Sequence, residues 1–128
     1  MHDLLAADGP ALMLEVLAGH EAGALRPAPQ DEALVTLAGK LSKADGWVDF
    51  TRSARACRDR VHGLTPWPGV TVKFREEMVK LLRVAAVERA TGAPGAVTDA
   101  ESGIVACGEG TGLSLVTLQL AGGRSMTW

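Results

Sequence analysis

The chain has 128 residues and 13.3 kDa, about one domain, and its 47% hydrophobic and 22% charged residues exclude disorder along the whole chain. Two cysteines are too few for a disulfide-stapled secreted fold, and no apolar run reaches the roughly 18 residues of a membrane span. The net charge of −2 is unevenly spread: residues 1–50 carry 3 basic and 8 acidic groups, whereas residues 51–90 carry 9 and 4. A basic window in an acidic chain suits an anion-facing surface, although a solvated mixed-charge surface is the plainer reading.

Residues 3–19 read as a helix that is apolar on more than one side, through Leu4, Leu5, Leu12, Met13, Val16 and Leu17. Such a helix belongs inside something larger. Gly9-Pro10 predicts either a kink or a second start. Asp8 and Glu15 interrupt the run and no basic residues precede it, so it makes a poor signal peptide. The expected context is soluble, reducing and cytoplasmic. Residues 22–32 are linker-like, with Pro27 and Pro29 favouring extended backbone. Residues 33–50 read as partly extended, with a turn at Asp45-Gly46.

Residues 52–63 predict a second helix capped near Thr51 or Ser53. Ala54, Cys57, Val61 and Leu64 form one buried stripe, and Arg52, Arg55, Arg58 and His62 lie on another side. Arg55 and Asp59 are spaced to pair at i, i+4. Pro66-Trp67-Pro68-Gly69 then makes a rigid corner. From Val70 the period becomes two, with a polar turn at Glu76-Glu77 and strands near 79–88, 96–98, 103–107 and 113–120. In the last of these, Leu113 and Leu115 share one parity and Val116, Leu118 and Leu120 the other, as a β-bulge would produce. About five short strands with glycine turns suggest a small closed or partly open barrel.

No site emerges from spacing alone. Gly108-Glu109-Gly110-Thr111-Gly112 lacks the Lys and following helix of a phosphate loop and reads as a hairpin turn. Cys57 and Cys107 read as buried small hydrophobes, and His2, His20 and His62 have no metal-ligand spacing. Asp31-Glu32 caps or solvates the linker. Trp67 reads as a plug in the barrel entrance rather than as a stacking platform. The chain has neither Asn nor Tyr, which excludes any mechanism needing an Asn side chain.

Several motifs together carry a resemblance. Pro29-Gln30-Asp31-Glu32, the run Lys40-Leu41-Ser42-Lys43-Ala44-Asp45-Gly46-Trp47-Val48-Asp49-Phe50, and Pro66-Trp67-Pro68-Gly69 resemble the stretch after the catalytic domain of methionyl-tRNA formyltransferases. Ala93-Pro94-Gly95, Cys107-Gly108-Glu109-Gly110 and Leu118-Gln119-Leu120-Ala121-Gly122 stay in step with the same C-terminal domain. His2 through Leu17 resembles the last helix of the preceding formyl-folate-binding domain. Some positions depart from the family pattern: Phe50 replaces a usual Trp, Leu37 a usual Tyr, Asp59 and His62 a helix Asn and Arg, and Gly123-Arg124 a pair of lysines.

The resemblance implies an α+β domain, mainly β: a small OB-type barrel of about five strands preceded by two helices and a proline-containing linker. Residues 1–21 would be a remnant of the catalytic domain, 22–50 the linker, and 51–128 the barrel with its leading helix. The implied role is positioning of initiator methionyl-tRNA without a catalytic centre. The formyl donor, 10-formyltetrahydrofolate, and the catalytic Asn, His and Asp would belong to the N-terminal domain, whose last helix alone is present here. No metal, membrane or cofactor partner is expected for this chain. The RNA-binding candidates are Lys40, Lys43, Arg52, Arg55 and Arg58, then Lys73 and Arg124, acting on phosphates. The alternatives are the tail of a sugar-nucleotide or folate formyltransferase, and a non-catalytic protein-interaction module.

Overall fold

The computed structural model describes residues 2–128, which divide into two compact units, 2–38 and 39–128. The first is built on α1, His2–Glu21, which runs through Pro10 without interruption. Its leucines are exposed on all sides, so the apolar face has no covering within the unit. Gly23, at φ +66, ends the helix by turning Ala24 N–H back onto Gly19 O at 2.9 Å. Residues 33–50 form no strand. Instead two short 3-10 turns, Glu32–Leu34 and Lys43–Asp45, interrupt irregular chain. Leu34, Val35 and Leu37 have no sheet neighbour to pack on, Leu37 being 96% exposed, and Val48 and Phe50 pack on the core from irregular chain rather than from a strand.

In the second unit α2 spans Ala54–Gly63, with Ser53 at the N-cap. The predicted stripe is buried: Ala54, Cys57, Val61 and Leu64 all face the sheet. The strands are β1 Val70–Phe74, β2 Glu77–Val87, β3 Val97–Asp99, β4 Ile104–Ala106, β5 Gly112–Leu120 and β6 Ser125–Thr127. They form one antiparallel sheet in the order β1-β2-β5-β4-β3, with β6 pairing a further stretch of β5. The α+β class therefore stands. Among the described residues no ladder joins the outer strands, so backbone pairing does not close the sheet into a barrel.

β6 carried too little sequence signal to be read, because Ser125-Met126-Thr127 alternates over only three residues beside a glycine turn. The register of β5 on β2 shifts, as a change of parity along β5 predicts. Leu81 pairs Leu118, Arg83 pairs Thr117 and Val84 pairs Leu115, so the register steps past Leu82 and Val116. Leu113, Leu115 and Leu118 thereby all point inward, while Val116 turns out to solvent. The core comprises these leucines with Leu81, Val84, Val70 and the α2 stripe. Each fully buried leucine or valine among them contributes about 1.5 to 3 kcal/mol.

Candidate nucleic-acid interface

The basic candidates divide by what their side chains already hold. Arg52 precedes the α2 cap and Arg55 lies in its first turn, both exposed. Lys40, Lys43 and Arg124 are also exposed. Among the described residues none of these five has an ion pair. Arg58 is different: its Nε and Nη2 donate to Asp59 Oδ1 at 2.9 and 2.7 Å. The predicted Arg55–Asp59 pair is not formed, because the neighbouring guanidinium reaches that carboxylate first. Lys73 lies 3.5 Å from Glu76 across the β1–β2 turn. His62 does not join a basic face either. Its Nε2 accepts the Val84 N–H at 3.3 Å, tying α2 to the point where the β2 register shifts.

Arg60 organises the region and lay outside the candidate set. Its Nε donates to Trp47 O at 2.6 Å and its Nη2 to Asp45 O at 2.8 Å. Its guanidinium also lies 4.5 Å from the Trp47 ring centre. This one side chain seats the turn carrying Lys43 against α2. Ser42 tightens the same turn, its N–H and hydroxyl donating to Asp45 Oδ2 at 2.7 and 2.8 Å. These bonds hold the Asp45 carboxyl below the usual carboxylate range. Next along, the Thr51 hydroxyl and N–H bonds to Asp49 lower that carboxyl likewise. A recess of about 310 Å³ lies between this segment and α2, with Trp47, Asp49, Arg52 and Arg60 in its wall.

The structure thus brings Lys43 and the α2 arginines to adjoining elements. Lys73 and Arg124 sit on separate hairpins, β1–β2 and β5–β6. The Gly108–Gly112 segment is the hairpin turn expected of it, with Glu109 and Gly110 both at positive φ. It has a second task. Thr111 Oγ1 accepts the Ala54 N–H at 2.8 Å and donates to Gly108 O at 2.7 Å, capping α2 across the fold. Cys57 and Cys107 are buried free thiols, as expected. Burial pushes Cys107 up to about 12 and raises Cys57 as well, so neither is a ready nucleophile. No group of three or more metal-ligating side chains exists among the described residues.

Trp67 corrects its prediction. It does not plug the sheet interior; it is 57% exposed on the corner before β1. The interior mouth is lined instead by Phe74, Met126 and Trp128, around a cavity of about 330 Å³ with almost wholly apolar walls.

The family described as formyl transferase, C-terminal domain, matches residues 40–128. The chain belongs to that family. Its relatives include methionyl-tRNA formyltransferases of Pseudomonas paraeruginosa, 39% identical over the full chain, and of Acidobacterium capsulatum, 41% identical over 96% of it. That of Nitratidesulfovibrio vulgaris is 48% identical over 66% of the chain. The chain spans about two-fifths of the length of the first two, 41% and 40%. In this formyl transferase C-terminal domain, Phe50 is half-buried and packs against the core. Asp59 is the residue that occupies Arg58.

Proposed function

We propose that this domain positions initiator methionyl-tRNA for formyl transfer performed by the N-terminal part of a methionyl-tRNA formyltransferase. The observation that carries the reading is the match over residues 40–128 together with relatives that bear that enzyme's name over the whole chain. The exposed cations Lys40, Lys43 and Arg55 support it, since charge not spent on internal ion pairs is available to phosphates; Arg52 is exposed too, but part of its charge acts on Asp49. Arg58 and Lys73 contribute less, being shared with Asp59 and Glu76; Arg124 stands alone on its hairpin. In the proposed reaction 10-formyltetrahydrofolate gives its formyl group to the methionine amino group. The residues of this chain do not fit that donor. The larger cavity offers almost no polar wall to a pterin ring, and no buried side-chain polar atom among the described residues lacks a partner. No chemical step is therefore assigned to these residues.

The test is titration of labelled initiator tRNA by fluorescence anisotropy at several salt concentrations. Each phosphate contact releases condensed counterions, so log K should fall with log[salt] by about 0.7 to 0.9 per contact. Affinity should lie in the non-specific range, roughly 10 to 100 μM. Lys40→Glu with Lys43→Glu should weaken binding to initiator and elongator tRNA alike and flatten the slope. Glu101→Lys, in the β3–β4 turn, is the control and should not weaken binding. An unchanged affinity and slope in the double reversal would refute this docking face.

A further inference from the structure

We infer that Trp67 is a stacking platform for an unpaired nucleobase, with the Lys80 ammonium beside it for the adjoining phosphate. The inference rests on the RNA-docking reading above and adds a stacking contact, which carries no charge, to its phosphate contacts. An indole buries roughly 150 to 250 Å² when it joins a core, yet Trp67 stays 57% exposed next to one. Trp47 is exposed to a similar degree, 54%, but its ring is already covered by the Arg60 guanidinium. Among the described residues the Trp67 ring has neither an aromatic nor a cationic partner.

The backbone beneath Trp67 is held from several sides. Proline rings fix φ on both flanks. Gly69 N–H donates to Leu64 O at 2.8 Å, anchoring the corner to the end of α2. Gly69 itself adopts φ +77, and a Cβ there would collide with Lys80 Cε. The Lys80 stem is thus laid along the corner, and its Nζ donates to Pro66 O at 3.2 Å. One of the three ammonium donors is used and two remain. A held aromatic surface loses little freedom when a base stacks on it.

The surroundings favour RNA over an apolar partner. The loop bearing Lys43 abuts the same corner: Gly46 packs on the Gly69 carbonyl, and Thr71 N–H donates to Gly46 O at 3.0 Å. Lys43 and Lys80 therefore both lie on chain that contacts the segment presenting Trp67. Aromatic faces set among cations are the arrangement by which proteins hold unpaired nucleotides without reading sequence.

The experiment compares the full chain with its Trp67→Ala and Trp67→Phe variants, using labelled initiator tRNA and a blunt RNA duplex of similar length. Trp67→Ala should weaken tRNA binding about fivefold or more, with an unchanged salt slope, and Trp67→Phe should keep part of the affinity. Duplex binding should not change. A second measurement uses Trp47→Phe with Trp128→Phe, leaving Trp67 as the sole indole; tRNA should quench its emission and shield it from acrylamide. This decides the matter if the alanine variant folds poorly. Wild-type tRNA affinity in folded Trp67→Ala, equal losses on duplex and tRNA, or emission indifferent to tRNA would each overturn the inference while leaving RNA docking intact. Failure of the wild-type chain to bind tRNA at any salt would remove both.

Discussion

Thr111→Val offers a test of how α2 is held. The substitution keeps the branched shape and removes the hydroxyl that accepts from Ala54 N–H and donates to Gly108 O. Ala54 is 1% exposed, so water cannot easily replace the lost acceptor. A typical bond contributes about 0.5 to 1.5 kcal/mol, and an orphaned buried donor costs about 1 to 3 kcal/mol. Gly108 O keeps some access to solvent, which leaves a sum of about 2 to 3 kcal/mol. For a domain of this size that lowers Tm by roughly 10 to 20 °C. Thr111→Ser retains the hydroxyl and should lose far less. Urea unfolding followed by circular dichroism measures both. A Thr111→Val loss below about 0.5 kcal/mol would show that the hydroxyl adds nothing to the apolar packing and the Gly108 N–H bonds to Phe50 O and Arg52 O that already join hairpin and helix.

The two thiols should resist alkylation in the native chain and react only after denaturation; fast labelling of either would contradict their burial. Because their folded pKa values are raised, the unfolded chain releases these protons first. Stability should hold below pH 9 and fall between the ordinary thiol value of 9.0 and about 12. Denaturant titrations at pH 8 and pH 10 check the direction, and Cys107→Ala should flatten the dependence. Deleting residues 1–20 removes the exposed leucines of α1. It should reduce self-association by light scattering while leaving the circular dichroism of the second unit unchanged; loss of that signal would place α1 in the domain's own core.

Where burial dictated a residue's type, its place could be read from the sequence. The stripe Ala54, Cys57, Val61 and Leu64 and the parity shift in β5 both write the core face directly into the spacing. Residues 33–50 misled because Leu34, Val35 and Leu37 have strand-like composition but no sheet to join, and whether a partner strand exists is not a local property. The candidate site was less legible. Arg60 and Arg58 are two residues apart and alike in type, yet one holds backbone carbonyls of a distant loop and the other its neighbour Asp59. Lys80 showed only an outward strand position, with no sign that it would lie along the Pro66–Gly69 corner. Trp67 was conspicuous between its prolines, but hydrophobicity suggested burial and could not reveal that the sheet interior is filled from elsewhere.

The Gly46–Thr71 hydrogen bond gives the Lys43 loop a protective office. β1 borders the sheet, and an outer strand left bare would offer its outward amide groups to any passing chain. Thr71 N–H is one of those outward donors, and the loop occupies it. The segment proposed to meet polynucleotide therefore also shields the sheet from edge-to-edge polymerisation. A change that frees this loop to reach a ligand, at Gly46 or at the Arg60 anchor, would unmask the strand at the same moment. Greater reach for Lys43 and freedom from fibril-like association are in direct competition at this edge.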